Sequence, residues 1–272
     1  MEVKDHFLTQ EKFSLVETNI PGILKTNPIP PNIEKYYESK DYISHHQDSG
    51  SLKEKVYKFA QSFNLNYKRN IVAKETFRNA KILDYGCGAG EFIKYIEEDF
   101  QTLGFEPNHS ARTAAQKKVN KTKIISDISE VENNSLDVIT LWHVFEHIDN
   151  QEYILNTFYN KLNINGLLII AVPNHTSYDA KNYKEFWAAY DVPRHIFHFS
   201  KSGMEKLFNS EKWKLKKIKP LLLDSFYISI LSEKYRKNPF SWIKGGIIGA
   251  ISNFKASKTG EFSSLIYIIE KK

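Results

Sequence analysis

Seven residues, Asp84-Tyr85-Gly86-Cys87-Gly88-Ala89-Gly90, set a carboxylate and three alternating glycines directly after the apolar run Lys81-Ile82-Leu83 and directly before a helix-forming stretch. Residues of these types at this spacing make a loop that cradles a nucleoside cofactor. Glycine lets the backbone turn sharply and approach a ligand with no side chain between, and a helix beginning near Glu91 turns its free N–H groups toward the same space. The dinucleotide fingerprint G-x-G-x-x-G is not met, because Glu91 stands where the third glycine belongs. The pattern is acidic-x-G-x-G-x-G instead. A carboxylate at Asp84 repels a pyrophosphate but suits a cationic ligand carrying an amino group and a sulfonium. Asp84, Gly86, Cys87, Gly88 and Gly90 are therefore cofactor-binding candidates, Cys87 for its small size rather than its reactivity.

Asp84 to Gly90 resembles motif I of the class I methyltransferases that use S-adenosylmethionine. Gln101 to Phe105 reads as a second strand ending in Glu106, about 20 residues after the loop, where an acid accepts ribose hydroxyls. A dehydrogenase wants the same acid, so the loop and not Glu106 discriminates. A third apolar run, Lys123-Ile124-Ile125-Ser126, ends in Asp127-Ile128. The resemblance implies that Asp127 lies near the adenine amino group and Ile128 against the ring. It also puts Leu141 and Trp142, at the end of a fourth strand, beside the methionine part of the cofactor. Asp and Glu also follow strands as caps and turn formers. Three in succession, with the glycines between, point to one site.

The fourth strand runs into His143-Val144-Phe145-Glu146-His147. His143, Glu146 and His147 stand at i, i+3 and i+4, so a helix there projects them from one side. H-x-x-E-H is also a metalloprotease pattern, but that pattern needs a long helix and a third ligand. The chain resembles bacterial small-molecule methyltransferases of the ubiquinone-biosynthesis O-methyltransferase type, which carry E-x-x-E-H at this point and can hold a divalent metal. His143 in place of the first Glu disfavours magnesium, which prefers oxygen ligands, and no metal is expected. The alternative is that Glu146 and His147 simply fix the loop by hydrogen bonds.

Farther on, Phe186-Trp187 precedes Asp191-Val192-Pro193-Arg194-His195-Ile196-Phe197. Pro-Arg-His-x-x-x-Phe resembles a segment on the acceptor side of those enzymes. His195 is the candidate base, with His143 and His147 as further catalytic candidates, since a neutral imidazole can take the proton of a hydroxyl being methylated. Trp187, Asp191 and Arg194 are substrate-binding candidates. Arg194 binds an acidic substrate or pairs with Asp191. Read structurally, the segment is a loop entering a helix capped by Ser200.

Strand and helix signals alternate from Lys81 onward, with strands near 81–84, 101–105, 123–126, 136–142 and 166–172, which argues for a parallel sheet wound on both faces. Lys214 to Leu223 and Phe262 to Glu270 are also strand-like. The fold class expected is α/β: a Rossmann-like, doubly wound, seven-stranded sheet whose last strand the resemblance makes antiparallel and inserted between its neighbours. Residues 51 to 78 suit one or two helices broken near Asn64. The methyltransferase domain is placed at 51–272, with lid insertions at about 174–200 and 224–260. The second insertion, with Trp242, Ile243 and Ile247 among its apolar residues, suits an amphipathic lid over a substrate pocket or a surface membrane helix, and the lid is favoured because such residues more often pack on their own protein. Residues 1–50 form an extension poor in periodicity. Its Thr26-Asn27-Pro28-Ile29-Pro30 and Tyr36-Tyr37 resemble the segment following a zinc ribbon in some bacterial methyltransferases, although no cysteine precedes Cys87. His6 and Phe13 then pack as remnants of that small fold.

The 272 residues, 41% hydrophobic and 26% charged, are of ordinary globular composition. No run approaches a bilayer-spanning length, and Met1 to His6 is not of signal-peptide type, so a cytoplasmic location without stable membrane insertion is expected. One cysteine excludes an internal disulfide. The net charge of +6 is concentrated after residue 200. Lys212, Lys214, Lys216, Lys217 and Lys219 alternate with Trp213, Leu215 and Ile218 as on a strand with one solvated face, which disfavours a basic strip for nucleic acid or anionic lipid. The cofactor is thus S-adenosylmethionine and the partner a small-molecule acceptor, partly apolar or acidic and methylated on oxygen. No oligomeric state is read from the chain. A cofactor-binding scaffold without turnover and a nucleic-acid methyltransferase are the alternatives, the second disfavoured because no base-methylation tetrapeptide follows strand four.

Overall fold

In the computed structural model, which describes residues 1–37 and 52–272, the chain builds two sheets. Short strands β1 (Glu2–Lys4), β2 (Lys12–Glu17) and β3 (Ile23–Asn27) open the chain. The larger sheet holds β4 (Lys81–Tyr85), β5 (Gln101–Phe105), β6 (Lys123–Ile125), β7 (Leu136–Trp142), β8 (Leu162–Pro173), β10 (Trp213–Pro220) and β11 (Ser264–Lys271). Its order is β10-β11-β8-β7-β4-β5-β6, and β11 runs antiparallel between β10 and β8 while the remaining pairs are parallel. This is the seven-stranded architecture expected from the strand signals and the resemblance.

Period-two side-chain alternation builds a core on each face of that sheet. Along β8, Leu168, Ile170 and Val172 enter one core, with α4 (Gln151–Lys161) and α6 (Lys201–Leu207). Leu167, Ile169 and Ala171 enter the other, with α1 (Leu52–Glu75), α2 (Glu91–Ile96) and α3 (His109–Lys118). Each fully buried aliphatic contributes roughly 1.5–3 kcal/mol. The helices start where side chains cap them: Asn108 accepts from Ala111 N–H, Asn150 from Tyr153 N–H and Ser200, as expected, from Gly203 N–H.

Three expectations change. Helix α1 runs unbroken through Asn64, because Asn costs only a fraction of a kcal/mol in a helix interior and no Gly or Pro interrupts it. Residues 1–37 are not a loose extension. Strands β1, β2 and β3 join β9 (Phe197–Phe199) in a four-stranded antiparallel sheet, so the chain's beginning is stitched to the segment that follows Pro193-Arg194-His195. Phe13 is buried there against Tyr36, and His6 stacks between Phe186 and Tyr235. Finally, the 224–260 insertion is a hairpin of α7 (Asp224–Tyr235) and α8 (Ser241–Thr259), and Trp242, Ile243 and Ile247 are exposed instead of packed on the protein. Glycines and serines take the inward positions of α8.

The lysines of β10 lie on a solvated face. A register shift between Leu215 and Lys217 leaves two successive lysines outward, where Lys216 pairs with Glu270 and Lys217 with Glu75.

Candidate active site

The glycine loop turns at the carboxyl end of β4. Gly86, Gly88 and Gly90 all have positive φ (75°, 54° and 83°), but for different reasons. A Cβ on Gly86 would lie 2.7 Å from Val144 Cγ2 and one on Gly90 3.1 Å from Ala115, whereas one on Gly88 would meet open space. The first and last glycines serve packing; the middle one faces open space. Gly86 N–H and Cys87 N–H donate to the Phe105 carbonyl at 2.8 and 3.0 Å. Buried Glu106 clamps the loop to β5, one carboxylate oxygen accepting Gly88 N–H and the other Asn108 N–H, both at 2.9 Å. Burial pushes the Cys87 thiol up, which leaves it unreactive.

Asp84 is buried and accepts a 2.7 Å bond from Thr140 Oγ1. Burial raises its pKa to about 6, against the Thr140 bond and the charge of Lys68. Lys68, on α1, holds its ammonium 4.8 Å above the Trp142 ring, and burial lowers its pKa against the pull of Asp224 and Asp84. Trp142 packs edge-on to Phe92, with its indole N–H buried and unpartnered. Leu141, the preceding residue on β7, points the other way and is buried in the opposite core, against which Tyr85 also packs. Asp127 is exposed at the end of β6 and accepts Ser129 N–H at 2.8 Å, which keeps its pKa low, with Ile128 half-buried beside it.

After Trp142 the chain does not form the helix expected at His143–His147. His143 has φ 58° and a 3-10 turn covers Phe145–His147, so the two histidines diverge around Glu146. His143 Nε2 lies 2.9 Å from Asp224 Oδ2 at the start of α7, and Nδ1 lies 3.4 Å from Glu146 Oε1. Burial opposes its charge, but the Asp224 and Glu146 carboxylates outweigh burial and raise its pKa to about 9. His147 donates from Nδ1 to the Arg194 carbonyl at 2.9 Å, with the Tyr37 hydroxyl 3.1 Å from the same nitrogen. His195 donates from Nδ1 to the Ala189 carbonyl at 2.9 Å, which leaves Nε2 as a bare acceptor 4.0 Å from Glu146 Oε1. Burial, then the neighbouring His147, lower the His195 pKa to about 4. Glu146 is fully buried, its carboxylate oxygens accept no well-aligned hydrogen bond, and its nearest counter-charge is His143, 3.4 Å from Oε1. Buried ionisable groups of this kind cluster at functional sites.

Three of the residues read as acceptor ligands turn away from this junction. Arg194 is 1% exposed. Its Nε and Nη2 bind Asp191 at 3.0 and 2.6 Å, Nη2 also binds Asp5 at 3.0 Å, and Nη1 binds the Tyr36 carbonyl at 3.0 Å. Of the two roles expected of Arg194, pairing with Asp191 is the one seen: the side chain is buried and four of its five guanidinium N–H groups bind the protein. Trp187 is also buried and donates its indole N–H to Asp179 at 2.7 Å. Lys68 and Asp224, by contrast, carried no sequence signal, one being a lysine on a long helix and the other the first residue of an insertion. Glu146, His147 and His195 offer donor atoms all within 4.8 Å of one another, so they could hold an ion. Two imidazoles and a carboxylate suit zinc or ferrous iron better than magnesium.

The His143–Asp224 pair gives stability its own pH dependence. A histidine whose folded pKa is raised from 6.5 to about 9 adds stability that is full below pH 6.5 and is lost as pH rises through 9. The melting temperature of wild type should therefore exceed that of Asp224→Asn at pH 6, and the gap should close by about pH 10. A gap independent of pH would show that His143 is not charged in the folded protein.

Residues 56–215 match the family model for a methyltransferase domain. The chain belongs to that family. A protein of Methanocaldococcus jannaschii without a characterised role is 27% identical over 176 residues, covering 61% of this chain and 66% of its own length. The ubiquinone biosynthesis O-methyltransferase of Bradyrhizobium diazoefficiens is 24% identical over 127 residues, covering 44% of this chain and 48% of that enzyme. The chain thus aligns with between about half and two thirds of these relatives' lengths. An N-methyltransferase of Haemonchus contortus, solved with phosphomonomethylethanolamine and S-adenosylhomocysteine, shares the fold at a TM-score of 0.54 and 15% identity, covering 92% of this chain and 62% of that one. The plantazolicin methyltransferase BpumL does so at 0.51 and 17%, covering 88% and 94%.

Proposed function

We propose that the protein transfers the methyl group of S-adenosylmethionine to the oxygen of a small, partly apolar acceptor held at the Glu146–His195 junction. The observation that carries this reading is the loop: open space over Gly88, with Glu106 bound to Gly88 N–H and Asp84 buried behind. These residues fit the cofactor. The second lone pairs of the Glu106 carboxylate would take the ribose hydroxyls, Asp127 and Ile128 the adenine, and the unpartnered Trp142 indole N–H and Lys68 the methionine part, whose carboxylate is an anion. Bound there, S-adenosylmethionine supplies an already activated methyl on a sulfonium, so alignment and exclusion of water make up most of the remaining task.

At the acceptor, the groups divide by environment. His143, cationic at neutral pH, holds α7 on the end of β7 and keeps Glu146 ionised. His195 is neutral, with Nε2 bare. As the acceptor oxygen attacks, its proton passes to His195 Nε2, and the imidazolium formed is stabilised by Glu146, 4.0 Å away. A pKa of about 4 makes His195 a weak base until that carboxylate closes on it. Because Arg194 is buried and bound to two carboxylates, a partly apolar acceptor is favoured over an acidic one. The histidines act here without a metal, so turnover should survive chelation and dialysis. Activity restored only by added zinc would replace this assignment.

Calorimetric titration with S-adenosylmethionine, S-adenosylhomocysteine and NADH tests the cofactor. Binding of the first two and not the third is expected, and binding of NADH alone would overturn the reading. With an acceptor in hand, Glu146→Gln and His195→Ala should each lower kcat by about 10²–10⁴ at unchanged cofactor affinity. Cofactor binding with no turnover on any hydroxylated acceptor would favour the scaffold.

A further inference from the structure

Helix α8 is built inside out. Its inward face consists of Ser241, Gly245, Gly249, Ser252 and Ala256, all buried. The glycines let α8 press on α7, since a Cβ on Gly245 would lie 2.5 Å from Ile230 Cα and one on Gly249 2.8 Å from Phe226 Cα. A surface helix ordinarily turns its large apolar residues inward. Here Ile243, Ile247 and Phe254, spaced i, i+4, i+11 on the opposite side, are 65%, 54% and 66% exposed. Phe240 and Trp242, also exposed, extend this stripe at the start of the helix.

Charge says what covers it. From Lys234 to Gly260 the chain has six basic residues and no Asp or Glu. The two acids of α7, Asp224 and Glu233, are turned inward onto His143 and onto Asn238 and Lys244. Lys258 stands 5.3 Å over the Phe254 ring at the edge of the stripe. A second copy docked by a two-fold would set one acid-free lysine face against another. A bilayer with anionic headgroups satisfies both features, taking Ile and Phe at the acyl boundary while Trp and Lys stay among the headgroups. No helix among the described residues is long and apolar enough to cross a membrane, so α8 lies along the surface.

We infer that the outer face of α8 docks the protein on an anionic membrane surface. The same hairpin delivers Asp224 to His143, so the docking face and the active site share one structural unit. The test is co-sedimentation of the full chain with phosphatidylcholine vesicles with and without phosphatidylglycerol, together with tryptophan emission, because Trp242 is the most exposed of the four tryptophans. Retention on the anionic vesicles with a blue shift is expected. Ile247→Ser combined with Phe254→Ser should keep the melting temperature and weaken partitioning by at least about tenfold. Lys255→Glu and Lys258→Glu should each weaken it roughly fivefold or more. Absence of binding to anionic vesicles, equal binding by the apolar double variant, or self-association that this variant abolishes in place of vesicle binding would each overturn the inference.

Discussion

Gly88→Val will leave the protein folded and lower its affinity for S-adenosylmethionine by about a hundredfold or more, close to 3 kcal/mol. The loop's three glycines separate the two effects. At Gly88 an added Cβ touches nothing in the free protein, so the folding cost is limited to holding an L-residue at φ 54°, about 1–2 kcal/mol and somewhat more for a β-branched chain. The isopropyl group then stands in the space that the ligand is proposed to use. Gly86→Ala should do the reverse. Its Cβ would meet Val144 at 2.7 Å, adding an overpacking cost of about 1–3 kcal/mol to the strain of φ 75°, so stability falls first and binding fails only as a consequence. Gly88→Asn is the control, because Asn tolerates left-handed backbone. If it too loses binding while its melting temperature stays near wild type, obstruction and not strain is responsible. Calorimetric titration beside thermal melts checks all three variants, and a Gly88→Val protein that binds like wild type would show that the loop is only structural.

How far the sequence reveals this site depends on the distance between partners. The loop, Glu106 and the seven strands were legible because their signals are local: alternating glycines, and apolar runs with the period of a strand buried on both faces. The four-stranded sheet was not. Its strands are three to six residues long, and β3 finds β9 some 170 positions away, so no window of sequence contains both. His143 was legible as a candidate but not its state, since the carboxylate that charges it, Asp224, sits at the head of an insertion read as a lid. The period-two rule separates Leu141 from Trp142, because two adjacent strand residues cannot face the same side. The stripe of α8 is legible as a lid or a surface helix, but not which. Ile and Phe at helical spacing imply a packed face by default, and only the glycine contacts with α7 show which face is taken.

Arg194→Ala should be the most destabilising single change on the acceptor side, by about 3–5 kcal/mol, or roughly 6–20 °C in melting temperature for a chain of this size. The guanidinium is the hub of the seam between residues 1–37 and the segment that leads into β9. It joins Asp191 in the acceptor-side segment to Asp5 and the Tyr36 carbonyl in the N-terminal one. Its removal leaves Asp5 buried with only its own turn to bind, the N–H groups of Phe7, Leu8 and Thr9. Arg194→Lys should recover little, because a single ammonium cannot fork to two carboxylates and a carbonyl. The pH dependence has a definite sign. Burial raises the pKa of Asp5, but the Thr9 bonds and Arg194 outweigh it and hold it below 3.8. That stabilisation is present above pH 3.8 and is lost as pH falls; without Arg194 the loss should begin at higher pH, moving the acid-unfolding midpoint upward. A substrate-binding arginine predicts a different pattern, a raised KM with an unchanged melting curve. In the variant kept folded at low temperature, cofactor affinity should hold, since no residue of the Asp84–Gly90 loop touches Arg194. Turnover should drop, because the Arg194 carbonyl fixes the His147 ring and the next residue is His195.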